Sequence, residues 1–450
     1  MRNSTPDGEN VSTFLRQTVE GAFRRHGLWG RGALVAVSGG IDSVCLARLV
    51  AALGSEGLGP VALAHVDHAL RPGSAEDAAF CRDLAAELGL PFRYRRLDPG
   101  TRRGNLHAWA RAERRAFLRR EREAMGLGCV ALAHHADDQA ETVLFRLLRG
   151  AGPRGLGGMA QWAPPFLRPF LAVWRRDLER LATSRGWPWR EDPSNRSPRF
   201  ARARLRHEVL PLLEAVRPGA KAALVRSAAL VARDDRVLSA WARDWEGRFG
   251  VEEPEGWRLP AADLGNLPDA VRFRVYLAAW ARVGADPSLL ALGHLEAIDR
   301  LLGPEGRPRW ASVPGPACVC RSFGDLWFLP ERPAARLPAL ALAGPGARAP
   351  AGRFDVVWVA DEGAGGPSIA VPPGRGAGGV RLRPRRPGDR LHRAGRTAKV
   401  KDVLMGARLP PWRRDQTWVV EDEAGILGLL GPWFSAGPDA GPTRIALADP

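Results

Sequence analysis

The spacing of apolar residues changes repeatedly along the first 150 positions, and each change predicts an element. From about 12 to 26 the apolar positions recur at helical spacing. A short apolar run at Leu34–Val37 reads as a strand, followed by a helix from Asp42. A strand at Val61–His65, a helix at Ala75–Leu88 and a strand at Phe92–Leu97 come next. Then follow a helix at Leu106–Ala124, a strand at Val130–His134 and a helix at Ala136–Leu148. Short β-type runs alternating with amphipathic helices predict an α/β domain with a parallel sheet covered on both faces. Ligands of such sheets bind beyond the carboxyl ends of the strands. Polar clusters that follow strand ends should therefore converge.

The pattern loosens after Leu148. Gly150–Gly158 is a Gly-rich loop, Arg175–Arg185 a helix, and Glu191-Asp192-Pro193-Ser194-Asn195 a turn before the basic helix start Arg202–Leu213. From Ala220 to Leu302 the spacing is helical, with tryptophans at core-like positions. Residues 308–329 read as short strands. The Ala-, Pro- and Gly-rich stretches within 331–379 read as a linker, and 380–450 as a small α+β domain. The 450 residues thus divide into an expected catalytic domain 1–215, a mainly helical central domain 216–330, the linker, and a basic C-terminal domain.

Three strand ends carry polar clusters. The first is Ser38-Gly39-Gly40-Ile41-Asp42-Ser43, between a strand and a helix. Two glycines let backbone amides approach an anion, Ser38 and Ser43 add hydroxyls, and Asp42 can hold a cation against phosphates. There is no GxxxxGK[ST] loop. The second cluster is His65-Val66-Asp67-His68, with Arg71, Ser74 and Glu76 after it, placed where an adenine or ribose would lie. The third is His134-His135-Ala136-Asp137-Asp138, with Glu141 one helical turn beyond Asp137. Paired carboxylates there suit Mg²⁺ bridging phosphate oxygens, and His134 suits donation to a phosphate or proton transfer. A fourth cluster is helical: Arg111, Arg114 and Arg115 can neutralise phosphate charge, although a solvated basic face explains Arg115 equally well.

Charge adds a partner. Sixty-six basic residues against 49 acidic ones give a net charge of +17, which fits a polyanion. Lysine occurs only at 221, 399 and 401. Nine basic residues crowd 381–401, among them Arg383, Arg385, Arg386, Arg390, Lys399 and Lys401, with Asp389 as the one acid between them. The five cysteines form no CxxC pair, which predicts reduced structural thiols. The first ten residues have no apolar core and no stretch is apolar enough to span a bilayer, so a cytoplasmic location away from membranes is expected.

SGGIDS resembles the pyrophosphate (PP) loop of the N-type ATP pyrophosphatases, which split ATP to AMP and diphosphate. In order along the chain, SGGIDS, HVDHALRPGSAED, GNLHAWARAERRAFL, AHHADDQAETVLFRLLRGAG, GLGGM and EDPSN resemble the tRNA(Ile)-lysidine synthetase family. Leu290–Leu302 and Val380–Leu430 are similar to its central and C-terminal domains.

The resemblance implies a Rossmann-like ATP-pyrophosphatase domain and a two-step ligation. ATP adenylates the wobble cytidine of a CAU anticodon in an isoleucine tRNA. The side-chain amine of free L-lysine then displaces AMP, so that the tRNA reads AUA instead of AUG. Ser38, Gly39, Gly40, Ile41, Asp42 and Ser43, with His65, would bind ATP. Asp42, Arg111, His134, Asp137 and Glu141 would be catalytic, with Asp42 and Asp137 holding Mg²⁺. Arg202, Arg204 and Arg206, together with the C-terminal basic residues Arg383, Arg385, Arg386, Arg390, Lys399 and Lys401, would bind tRNA. The resemblance also favours a homodimer. One departure is Ala203, where the family carries Asn after Arg202. A tRNA thiolase with the same loop is the nearest rival, weakened by the missing CxxC.

Overall fold

A computed structural model describes residues 8–69, 73–98, 100, 106–191, 201–303, 309–333, 337–351, 354–360, 367–393, 395–438 and 443–448. Arg71, Asn105 and the turn at 192–195 lie outside the described residues. The chain forms two compact units, Met1–Arg236 and Val237–Pro450.

The first unit runs α1 (Gly8–Arg25), β1 (Ala33–Ala36), α2 (Ile41–Leu53), β2 (Val61–Asp67), α3 (Ser74–Glu87), β3 (Phe92–Arg96), α4 (Leu106–Ala124), β4 (Cys129–Ala131) and α5 (Ala136–Leu148). It continues through α6 (Pro153–Leu156), β5 (Trp162–Ala163), β6 (Phe166–Leu167), α7 (Arg175–Ser184), α8 (Ala201–Arg204) and α9 (Leu210–Val216) to the start of α10 (Ala220–Phe249). The sheet order is β3-β2-β1-β4-β6-β5, parallel except for the β5–β6 edge pair.

Period-two alternation decides which side each strand residue faces. Ala33 and Val35 of β1, with Leu63 and Ala131, pack against α1, α2, α3 and α7 through Leu15, Phe23, Leu46, Leu84 and Leu178. Leu34, Ala62, Ala64 and Val130 face the other way, onto Ala110, Phe117 and Leu118 of α4. The expected parallel sheet with both faces covered is therefore observed. The chain leaves β1 outward to β2 and β3, then returns to β4 on the other side of β1. That reversal opens a crevice at the carboxyl ends of β1 and β4.

Residues 201–216 carry a helical turn of wider pitch at Leu205–Val209. Pro211 explains it, since proline lacks an N–H and its ring crowds the carbonyl one turn earlier.

The second unit departs from the sequence expectation. α11 (Ala261–Gly265), α12 (Asp269–Arg282) and α13 (Leu292–Asp299) accompany a five-stranded antiparallel sheet of β7 (Val251–Glu253), β8 (Gly256–Pro260), β9 (Arg309–Trp310), β10 (Cys318–Ser322) and β11 (Asp325–Leu329). Strands within 309–329 are expected from the sequence, whereas β7 and β8 interrupt the stretch read as helical. Its core holds Tyr276, Trp280 and Phe328.

The stretch expected as a linker carries β12 (Leu340–Leu342), β13 (Arg348–Pro350), β14 (Asp355–Ala360) and β15 (Ser368–Val371). Then come β16 (Val380–Pro384), β17 (Arg390–Arg393), β18 (Arg396–Lys399), α14 (Val400–Gly406), α15 (Pro411–Asp415), β19 (Trp418–Asp422), β20 (Gly425–Gly431), β21 (Phe434–Ala436) and β22 (Thr443–Ala448). β12 pairs with β16, while β14 and β15 flank β22, so 340–371 is built into the C-terminal fold. Alternating burial of Val356 and Trp358, and of Ile369 and Val371, drives this pairing beneath the Ala-Pro-Gly composition. No helix among the described residues is long and apolar enough to cross a membrane.

Candidate active site

The loop after β1 opens the site. Gly39 has φ +82°, a left-handed conformation that side-chain-bearing residues rarely adopt. Ser43 Oγ donates to the Gly40 carbonyl at 2.8 Å and accepts from the Ser38 amide at 3.1 Å, which folds the loop over the start of α2. Gly40 caps α2 without a side-chain partner and the Ser43 amide turns back to the Gly40 carbonyl, so the Ile41 and Asp42 amides remain for an anion.

A cleft of about 680 Å³ extends from this loop. Ser38, Gly40, Asp42 and Ser43 line one side, and His65, Asp67, Arg114 and His134 line others. His65 Nδ1 lies 2.9 Å from the Val37 carbonyl, which can only accept, so that nitrogen carries the proton. Its ring stacks on Tyr94 at 6.2 Å, and burial holds its pKa below the usual value. Burial opposes ionisation of Asp67, but bonds from the Ala69 amide and Ser74, with Arg96 and Tyr94 nearby, keep its carboxyl below the usual range. Ala69, with φ +51°, bends the chain away at the cleft edge.

Asp42 is the unusual carboxylate. Its Oδ1 is buried with no hydrogen-bond partner, and Oδ2 lies 3.7 Å from His135 Nε2. Burial raises its pKa, partly opposed by His135 and Arg175. An uncompensated carboxylate beside a phosphate loop fits a hard divalent cation.

The carboxylates of α5 are committed elsewhere. Asp137 takes Lys221 Nζ at 2.9 Å and the Arg175 amide at 3.1 Å. Arg206 bonds Asp138 at 3.0 Å and also reaches Glu141, which is buried. Asp137, proposed from sequence beside Asp42 as a metal ligand, has both oxygens occupied by protein donors. Arg206, expected on tRNA, faces α5 instead. No group of three His, Cys, Asp or Glu among the described residues could hold a metal by itself.

His135, which the sequence reading left without a role, caps α5 and stands between Asp42 and Asp138, 3.5 Å from the latter. Only its place in a His-His-Ala-Asp-Asp run signalled it.

The arginines divide similarly. Arg114 lines the cleft, whereas Arg111, favoured from sequence, is exposed one turn earlier on α4. Both, with the buried Arg168, depress His134, whose pKa burial first of all pushes down to about 4. Its Nδ1 is buried and unpartnered, so the neutral ring keeps a free polar atom at the site.

The chain matches the PP-loop domain over residues 14–213 and the TilS substrate C-terminal domain over 380–446. It is 35% identical to a tRNA(Ile)-lysidine synthase of Geobacter sulfurreducens, with 86% of each chain covered. The chain belongs to the tRNA(Ile)-lysidine synthase family. A Deinococcus radiodurans synthase is 36% identical, covering 89% of this chain and 60% of that protein. Among solved structures, a U34-tRNA thiolase of Methanococcus maripaludis is similar at 17% identity and a TM-score of 0.43, over 50% of this chain and 80% of that one.

Within this lysidine synthase fold the C-terminal basic residues fall into two sets. Arg383 is buried and bonded to Asp389 at 2.9 Å and Glu421 at 2.8 Å, and Arg385 pairs with Asp415 at 2.9 Å. Arg386, Arg390, Lys399 and Lys401 are exposed. Arg202 and Arg204 are also exposed, with Arg204 paired to Glu208 at 3.2 Å. Of the residues expected on tRNA, Arg206, Arg383 and Arg385 are thus held in ion pairs within the protein.

Proposed function

We propose that this chain ligates free L-lysine to the wobble cytidine of the CAU anticodon of an isoleucine tRNA, using ATP and releasing AMP and diphosphate. The observation that carries this is the phosphate loop with the buried, unpartnered Oδ1 of Asp42 at the sheet's switch point, in a chain of this family. The cytidine 2-oxo oxygen attacks the α-phosphorus and diphosphate leaves. The lysine side-chain amine then attacks the base carbon, and AMP leaves with that oxygen.

The loop amides and Ser38 receive the β- and γ-phosphates. Asp42 would hold Mg²⁺, which neutralises phosphate charge when bound. Arg114, flanked by Arg111, meets charge growing on the α-phosphate. His134, neutral at pH 7, donates a hydrogen bond without adding repulsion toward these arginines. Attack requires the neutral amine, so the lysine ammonium must give up a proton before it reaches the base carbon. The exposed C-terminal basic residues grip phosphates of the tRNA, positioning it without reading bases. The reaction belongs in the cytoplasm, where tRNA and ATP meet.

A thiolase reading finds no reactive thiol among the five cysteines. Burial pushes the Cys45, Cys81, Cys129 and Cys320 thiols up to about 12, and Cys318 to about 11. The test is transfer of radiolabelled lysine to an unmodified isoleucine tRNA transcript with a CAU anticodon, with Asp42→Ala in parallel. Label with the wild type and none with the variant supports the reading. ATP cleavage without label overturns it.

A further inference from the structure

The Gly39–Gly40 peptide is the weak point of the phosphate loop. In a trans peptide the carbonyl and the following N–H point in opposite directions. Fixing the Gly39 carbonyl therefore fixes the Gly40 N–H. Gly40 lines the cleft, so a flip of this plane would replace a donor with an acceptor facing the anion. Both flanking residues are glycine and Gly39 is already left-handed, so little in the local backbone resists such a flip.

The Gly39 carbonyl is held from outside. It accepts the Arg190 amide at 2.9 Å. The Arg190 side chain bonds Asp77 at 2.6 Å and Glu76 at 2.7 Å, both in the first turn of α3. Arg190 lies against Gly39, 3.8 Å from where a Cβ would stand, with Phe80 of α3 at 3.4 Å. One residue thus ties the loop after β1 to the helix after β2, far from either in sequence.

We propose that Arg190 is a positioning residue that locks the Gly39–Gly40 peptide in its anion-binding orientation, so that affinity for the diphosphate portion of ATP depends on its clasp to α3. This rests on the reading of the loop as a pyrophosphate site. Among the described residues the clasp meets neither the carboxylates of α5 nor the basic residues expected on tRNA, so the effect is confined to the diphosphate portion of ATP.

The test compares wild type, Arg190→Ala and Arg190→Lys by calorimetric titration with inorganic diphosphate and Mg²⁺, and by KM values for ATP and lysine. Arg190→Ala should weaken diphosphate binding and raise the KM for ATP by about 5- to 20-fold. The KM for lysine and kcat at saturating ATP should stay within twofold. Both variants keep the backbone donor at 190 and differ in how well the side chain anchors it; Arg190→Lys keeps one ion pair to α3 and should fall between. Should Arg190→Ala misfold by circular dichroism, Arg190→Lys and Glu76→Gln carry the test with a severalfold loss expected in each. Diphosphate binding within twofold of wild type in the folded variants overturns the proposal. Wild-type protein that binds no diphosphate overturns the loop reading instead.

Discussion

Lys221 Nζ lies 2.9 Å from Asp137 Oδ1, on a chain where only three of 66 basic residues are lysines. Burial disfavours the Asp137 anion, but Lys221 and the Arg175 amide outweigh it and hold the carboxyl below its usual value of 3.8. A lowered folded pKa contributes stability above the unfolded value and loses it as pH falls through the folded one. Lys221→Ala should therefore cost about 1–2 kcal/mol at pH 7. The deficit should shrink at an acid pH below the lowered folded value, where Asp137 is protonated in both states. Thermal melts at the two pH values check this, and equal Tm at pH 7 would count against a stabilising pair.

Arg206 and Arg204 sit two residues apart yet should behave differently. Arg206 neutralises Asp138 and the buried Glu141, so Arg206→Ala strands a buried charge at a cost of about 3–5 kcal/mol. Arg204 is exposed, and its pair with Glu208 is worth roughly 0–1 kcal/mol. Arg204→Ala should leave Tm unchanged and raise the KM for tRNA. The opposite pattern would mean that Arg206, not Arg204, is the RNA contact.

Asp42 trades stability for function. Burial raises its folded pKa above 3.8, so its ionised form destabilises the fold increasingly as pH rises through that range. Asp42→Asn should raise Tm at pH 7 without ATP or Mg²⁺, while lowering ATP cleavage by about 10²-fold or more. A variant that is both less stable and inactive would show that the contact with His135 outweighs the cost of burying Asp42.

On the C-terminal surface, burial separates fold from grip. Reversing Arg386, Lys399 and Lys401 to Glu should raise the KM for tRNA and reduce the slope of log K against log[salt] by about 2–3. Arg383→Ala should lower Tm instead, because Asp389 and Glu421 lose their common cation. Salt-dependent binding of labelled tRNA and melting curves separate the two. An unchanged slope in the triple variant would remove this surface from the RNA path.

The sequence made the β1 loop, the sheet and the His-Asp run legible because each depends on neighbours in the chain. Ser43 folds back on Gly40 three residues away, and Leu34 and Val35 sort by alternation alone. What pairs with a charge is not local. Glu141 meets Arg206 across 65 residues and Asp137 meets Lys221 across 84, so carboxylates that looked free for metal are already neutralised. The same limit hid Arg383 in a basic run and 340–371 inside a linker-like composition, since Arg383 is fixed by Asp389 and Glu421, and 340–371 by strands at 380–384 and 443–448.

His134 gives the clearest pH signature. Burial pushes its pKa from 6.5 down to about 4, helped by Arg168, Arg114 and Arg111 and opposed by Asp138. For a histidine held neutral in the fold, both states are uncharged above pH 6.5 and stability is then unaffected. As pH falls below that value the unfolded chain gains a proton that the folded chain refuses, and stability is lost until about pH 4. At pH 5 the loss is on the order of 2 kcal/mol. His134→Gln, neutral at every pH, should abolish that share of the decline between pH 7 and 5. It should also leave no new limb near pH 6.5 in the activity profile, because the wild-type ring does not titrate there. Denaturant melts across that range decide the matter: a wild type and variant that lose stability in parallel would mean that His134 is solvated and charged, and the neutral donor role would fall with it.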